Sequence, residues 1–105
     1  MEEAIINAIG SCRECAITCK ACAAALKDDS SMQHCISSCL ECATICELCV
    51  SLGESNSELF LKSLDLALDA CIKCIGCCEK NTQDTCIKCA WQCRKTTVDM
   101  INLIG

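Results

Sequence analysis

Apolar and polar positions alternate along this chain in steps of three and four, the spacing that places residues on one stripe of an α-helix. The stripe is unusual in composition. Cys12, Cys15, Cys19 and Cys22 follow it, then Cys35, Cys39, Cys42, Cys46 and Cys49, then Cys71, Cys74 and Cys78, and finally Cys86, Cys89 and Cys93. Three short polar breaks divide the pattern: Lys27–Ser31, Gly53–Ser57 and Asn81–Asp84. The first supplies N-caps for the second helix, and Ser55 and Glu58 at the second break are spaced as a capping box. Helices are therefore predicted over residues 2–27, 31–52, 57–80 and 83–104. Connections this short make neighbours antiparallel, so the expected fold is all-α: an up-down-up-down four-helix bundle with a Cys-lined core, residues 1–105 forming a single domain.

Extending each stripe beyond its cysteines sets the polarity of the bundle. Helix one opens with Ile5 and Ala8 before its first cysteine, helix three with Phe60, Leu64 and Ala67, and helix four ends with Thr96, Met100 and Leu103. In alternating order, thiols gather at the end carrying the first and third connections, while Ile5, Ile9, Leu52, Phe60, Leu64, Met100 and Leu103 plug the other. Cys46 and Cys49 carry sulfur deepest toward that plug. Gly10 and Gly76 lie inside helices, where each costs about 1 kcal/mol relative to Ala, and they are candidates for points of close helix approach. Two internal echoes, C-x-E-C-A-x-x-C-x-x-C at 12–22 and 39–49 and Cys-Ile-Lys-Cys at 71–74 and 86–89, read as one cysteine stripe reused on different helices.

Composition narrows the chemistry. The 105 residues include sixteen cysteines, no Pro and four Gly, which suits long helices with tight connections. Phe60 and Trp91 are the only aromatic residues and the formal net charge is −5, so nucleic acid is not an expected partner. Charges interrupt every apolar stretch, so no membrane span is expected. The opening Met1-Glu2-Glu3 lacks the basic start of a secretory signal, and a cytoplasmic location is expected. A secreted disulfide framework is disfavoured, because cysteines three or four apart on one helical face rarely meet disulfide geometry.

Thiolates select Cu(I), Zn(II) or iron–sulfur clusters. Zinc prefers closed tetrahedral sites of four cysteines built on turns. Cu(I) accepts two or three sulfurs, and one thiolate can bridge two ions, which suits cysteines at i, i+3 and i+4 on facing helices. One Cu⁺ offsets one thiolate, so a filled interior is nearly neutral, with a capacity on the order of one copper per cysteine. Divalent zinc at that loading would bury a large positive charge. Cys71-x-x-Cys74-x-x-Cys77 and Cys15-x-x-x-Cys19-x-x-Cys22 match fragments of iron–sulfur motifs, but cluster ligands normally sit on wrapping loops. An iron–sulfur or zinc-binding redox or electron-transfer protein is the alternative reading. Cys is also a small hydrophobe, and thiols that merely pack would let the bundle fold without metal.

The four-helix layout and the inward C-x-x-C and C-x-x-x-C stripes resemble the bacterial copper storage proteins, in particular their cytosolic branch, over the whole chain. The resemblance implies storage of multiple Cu(I) ions on all sixteen cysteines rather than catalysis, and assembly into homotetramers; a copper chaperone is a candidate partner. Cys77, beside Cys78, lies off the best line of the stripe. Met32 and His34 are the two residues that could match the family's His or Met ligands at the open end. The chain departs from the family in being poor in His and in lacking Cys from the first half of helix three and the second half of helix four. Trp91 with Ile36, Ile45, Ile72, Ile75 and Ile87 lies off the stripes and is expected to contribute to a subunit interface.

Overall fold

The computed structural model describes residues 2–105. Four helices follow one another: α1 (Glu3–Leu26), α2 (Gln33–Glu54), α3 (Phe60–Cys78) and α4 (Asp84–Ile104). A single 3-10 turn, Ser30–Met32, leads into α2. Each helix packs against its two neighbours in the ring α1–α2–α3–α4, giving a rod of 42 × 19 × 17 Å. The up-down bundle is thus as the periodicity predicts. A nearly unbroken column of fifteen buried cysteines occupies its centre, with Leu64 and Met100 fully buried beyond its closed end.

The connections differ from expectation in instructive ways. Asp29 accepts from the Ser31 amide at 3.0 Å and the Ser31 hydroxyl at 2.6 Å, so the first break caps the 3-10 turn rather than α2 itself. The Ser55–Glu58 capping box does not form, because the end of α2 takes over those residues. Asn56 adopts the left-handed conformation (φ 55°), Ser57 N–H donates to the Leu52 carbonyl at 2.9 Å, and Asn56 N–H donates to the Gly53 carbonyl at 3.2 Å. This pair of bonds is a Schellman ending. It delays α3 to Phe60, where the Ser57 hydroxyl accepts from the Leu59 amide.

Gly10 and Gly76 do not mark close approach: a methyl group at either would meet nothing within 4 Å. The tight position is Gly53, which the sequence pattern assigns to a break but which lies inside α2. A Cβ there would fall 2.7 Å from Ile9 and 2.9 Å from Phe60, so the missing side chain lets α2 close on the plug. The expectation that no stretch reaches membrane-span length also needs correction. Ser30–Glu54 is long and apolar enough by composition alone. Cysteine supplies much of that apolarity, and here Cys35, Cys39, Cys42, Cys46 and Cys49 all point into the bundle.

Candidate metal column

Each helix contributes a thiol to successive cross-sections because its cysteines fall on the single stripe that faces the axis. Cys15, Cys42, Cys71 and Cys93 form one such layer, one residue from each helix, with every Sγ within 4.8 Å of the others. Cys19, Cys42, Cys74 and Cys93 form the next, followed by Cys22, Cys39, Cys78 and Cys89, and then Cys35, Cys78 and Cys86 near the α3–α4 connection. Cys42 and Cys93 belong to two layers, as does Cys78. Between the second and third layers contact continues through Cys19–Cys89 at 3.7 Å, Cys39–Cys74 at 3.8 Å and Cys74–Cys89 at 3.8 Å. A metal–thiolate bond of about 2.3 Å sets sulfurs that share one ion about 4 Å apart. Sγ atoms in contact along the column lie 3.7–4.0 Å apart, and all those of a layer within 4.8 Å, close enough for one ion to reach several thiols.

The deep end is finished differently. Cys12, Cys46 and Cys49 are fully buried but come only from α1 and α2. Opposite them α3 offers no sulfur, and Cys49 instead donates to the Ser63 carbonyl at 3.2 Å. On α4 the stripe continues as Thr96, fully buried, whose hydroxyl donates to the Ser11 carbonyl at 3.1 Å. Ser11 in turn donates to Asp99, which Lys95 also holds at 3.1 Å. The absence of Cys from the first half of α3 and the second half of α4 is therefore where sulfur gives way to oxygen and then to hydrocarbon.

Crowding divides the thiols into proton-poor and proton-rich partners. Bonds from Cys46 and then Cys49 hold the Cys12 thiol down at about 5, and the same contacts push Cys46 and Cys49 up. Cys15 is likewise lowered, first by Cys19, while Cys19 is raised, first by Cys15. Cys22 is held at about 7, first by Cys39. At the other end of the column burial dominates, raising Cys35 and pushing Cys86 up to about 12. A thiolate in this core is thus stabilised by S–H groups beside it, the arrangement that metal ions would replace.

Fifteen of the sixteen sequence-predicted thiols are buried along the axis. Cys77 is only half-buried and faces the Ser38 hydroxyl at 3.4 Å, outside the layers, in keeping with its poor fit to the stripe. Met32 is buried in the core cluster, whereas His34 is exposed and joins none of the compact donor groups. Sequence reasoning missed Asn81, whose side-chain amide donates to the Cys77 carbonyl at 3.0 Å and reaches Cys35 Sγ at 4.0 Å. Its only signal was its place in a connection beside the outermost thiols. Of the residues expected at an interface, Trp91, Ile72 and Ile87 are more than half exposed, while Ile36, Ile45 and Ile75 are half-buried against the core.

A sequence profile for the family described as copper storage protein (Csp) matches residues 1–102. Among solved structures, the Cu(I)-bound copper storage protein BsCsp3 is similar with a TM-score of 0.90 and 26% identity, over 98% of this chain and 100% of that one. No curated protein matches the chain.

Proposed function

The chain belongs to the copper storage protein family, and from that premise we propose that it takes up many Cu(I) ions along its thiol column and holds them as cargo. The observation that carries this reading is the sharing of Cys42, Cys93 and Cys78 between adjacent layers. A sulfur within reach of two layers can bridge two ions, which Cu(I) thiolate chemistry uses and discrete four-cysteine zinc sites do not require. Charge points the same way. Each Cu⁺ that displaces one thiol proton leaves the core's charge unchanged, whereas divalent ions at similar loading would accumulate buried positive charge. An iron–sulfur cluster interposes inorganic sulfide and holds its cysteine sulfurs apart. Here the thiols touch, so the cluster alternative is not favoured.

Uptake needs no folding step, because the column is assembled and packed as neutral and partly ionised thiol. Each ion exchanges its incoming ligands for Sγ atoms, with the displaced protons leaving to solvent or to the departing ligand. The filled interior keeps copper away from water and oxidants, which is storage without turnover. Cys12 through Cys49 on α1 and α2, Cys71, Cys74 and Cys78 on α3, and Cys86, Cys89 and Cys93 on α4 are the proposed ligands. Cys77 and His34 lie outside that set, and Met32, buried in the same core cluster, is a further candidate through its thioether. Residues 1–105 act as one unit in the cytoplasm and exchange copper with a chaperone. They assemble as a homotetramer, for which the exposed Trp91, Ile72 and Ile87 supply apolar surface.

Anaerobic titration of the reduced protein with Cu(I), against a colorimetric chelator, tests the reading. The expected result is uptake on the order of one ion per buried cysteine with unchanged helical circular dichroism. Saturation at a few ions, or surrender of the metal to a modest chelator, would contradict it.

A further inference from the structure

The four seams of the ring are not held alike. Helices adjacent in sequence share a short connection, and each such pair also carries an ion pair. Arg13–Glu54 at 2.7 Å and Lys20–Glu47 at 2.8 Å join α1 to α2, and Lys73–Glu41 at 3.0 Å joins α2 to α3. Arg94–Glu79 at 2.9 Å joins α4 to the end of α3. Exposed ion pairs contribute little. The connections matter more, because a tethered helix stays at high effective concentration beside its neighbour. The first and last helices have neither. No ion pair crosses from α1 to α4 among the described residues, and Lys95–Asp99, at 3.1 Å, lies within α4.

Resting on the copper-storage reading, we propose that the α1–α4 seam is the one that opens in the copper-free bundle, that a clamp of Ser11, Thr96 and Asp99 holds it shut, and that copper bound across it takes over from the clamp. The clamp is a compact set of hydrogen bonds. The buried Ser11 hydroxyl donates to Asp99 and accepts from Lys95 Nζ at 3.2 Å. The fully buried Thr96 hydroxyl donates to the Ser11 carbonyl at 3.1 Å. Further along the seam the facing groups on the axis are thiols: Cys15–Cys93 at 3.8 Å, Cys19–Cys93 at 4.0 Å and Cys19–Cys89 at 3.7 Å. A protonated thiol is a weak donor and a weak acceptor, so these contacts add little while the column is empty. Outside the clamp Gly10 omits a side chain, and the groove bounded by Ile6, Gly10, Lys95 and Asp99 measures about 560 Å³. The corresponding grooves are 340 Å³ between α1 and α2 and 220 Å³ between α2 and α3. Water in the larger groove replaces the bonds of Ser11 and Asp99 when the helices part, which lowers the cost of opening here.

Copper changes this balance without altering the fold. An ion bound between Cys93 and either Cys15 or Cys19 joins α1 to α4 by two metal–sulfur bonds, where the empty chain has only a thiol contact. Each Cu(I)–Sγ bond to a thiol replaces an S–H bond, the proton leaving to solvent or to the departing ligand, with no change of oxidation state. Such an ion binds the closed seam and not the parted one, so it stabilises the closed seam by mass action. The copper load thereby sets how often the seam opens.

Hydrogen exchange read by mass spectrometry on the reduced full chain, copper-free and loaded with Cu(I), tests the proposal. In the copper-free protein α1 and α4 should exchange together and faster than α2 and α3, and loading should slow α1 and α4 by about tenfold or more. Ser11→Ala and Thr96→Val should each raise exchange in α1 and α4 of the copper-free chain by about tenfold, the effect of one lost buried hydrogen bond. Both should leave α2 and α3 unchanged and have no effect on the loaded protein. Thr96→Ser keeps the hydroxyl and should exchange like the parent, as should Lys20→Met, which removes an ion pair from a tethered seam. Three results would overturn the proposal: uniform exchange across the four helices of the parent, a rise spread over all four in the variants, or no slowing of α1 and α4 in fully loaded protein. A parent that takes up only a few ions defeats the storage reading instead, and the copper-free exchange pattern still decides whether the clamp exists.

Discussion

The two halves of this bundle occupy the same helical stripes and do opposite things with them. Around Ile9, Gly53, Phe60, Leu64 and Met100 the axis is hydrocarbon, packed so closely that a methyl at Gly53 would stand 2.7 Å from Ile9. From Cys15 to Cys86 the axis is sulfur, with one thiol per helix in each full layer. Leu and Phe gain more from burial than Cys does, at about 25 cal/mol per Å² of apolar surface, so the plug holds the helices together with less length than the thiol half uses. The thiol half gives up some of that gain and keeps a set of exchangeable ligands. Stability and capacity are separated along one rod, and each can be disturbed without the other.

The largest expected effect lies in the plug. Leu64→Ala should destabilise the copper-free protein by about 2–5 kcal/mol, the cost of a buried Leu cavity. Urea unfolding measures it, and a loss comparable to a surface substitution would show that the plug is not the anchor. Gly53→Ala should come next, costing about 1–3 kcal/mol through overpacking against Ile9 and Phe60. Gly10→Ala and Gly76→Ala meet no neighbour and should stabilise by up to about 1 kcal/mol. A uniform response of the three glycines would mean that Gly53 is no more tightly packed than the other two.

In the thiol half the distinguishing response is in capacity. Cys42→Ala removes a sulfur shared by two layers and should lower the copper count by more than one ion. Cys77→Ala should leave the count unchanged, since that thiol faces Ser38. Equal losses from the two would mean that sharing between layers carries no weight.

A further effect, of a different kind, is expected on the pH dependence of stability, and it comes from the thiols. Cys12 is held at about 5 in the fold against 9.0 unfolded, so its contribution is present above pH 9 and fades as pH falls toward 5. Cys86 is pushed up to about 12, so the stability it leaves intact below pH 9 is lost as pH rises toward 12, because the unfolded chain ionises first. Thermal melts of the reduced, copper-free protein should therefore peak near pH 9. A flat profile across this range would show that the thiols titrate independently of folding.

The bundle and its polarity were legible in the sequence because the three-and-four spacing of Cys, Leu and Phe admits only one buried stripe per helix. The layer partners were not. Which cysteine of α3 sits level with Cys15 depends on where α3 begins, and that is decided by Asn56 in its left-handed conformation rather than by the Ser55–Glu58 pair. Asn81 was hidden for a similar reason: an Asn in a polar connection looks like solvent-facing punctuation until the fold sets it 4.0 Å from Cys35. Gly53 read as a break because glycine ends helices more often than it makes room for Ile and Phe.

Anomalous diffraction from crystals of the protein loaded with Cu(I) tests the central claim most directly. The account predicts a file of copper peaks on the bundle axis from the level of Cys86 down to that of Cys12, bridged by Cys42, Cys78 and Cys93, with none beyond Leu64 and Met100. A few isolated ions in separate four-cysteine sites, or copper confined to Cys77, His34 and the surface, would contradict it.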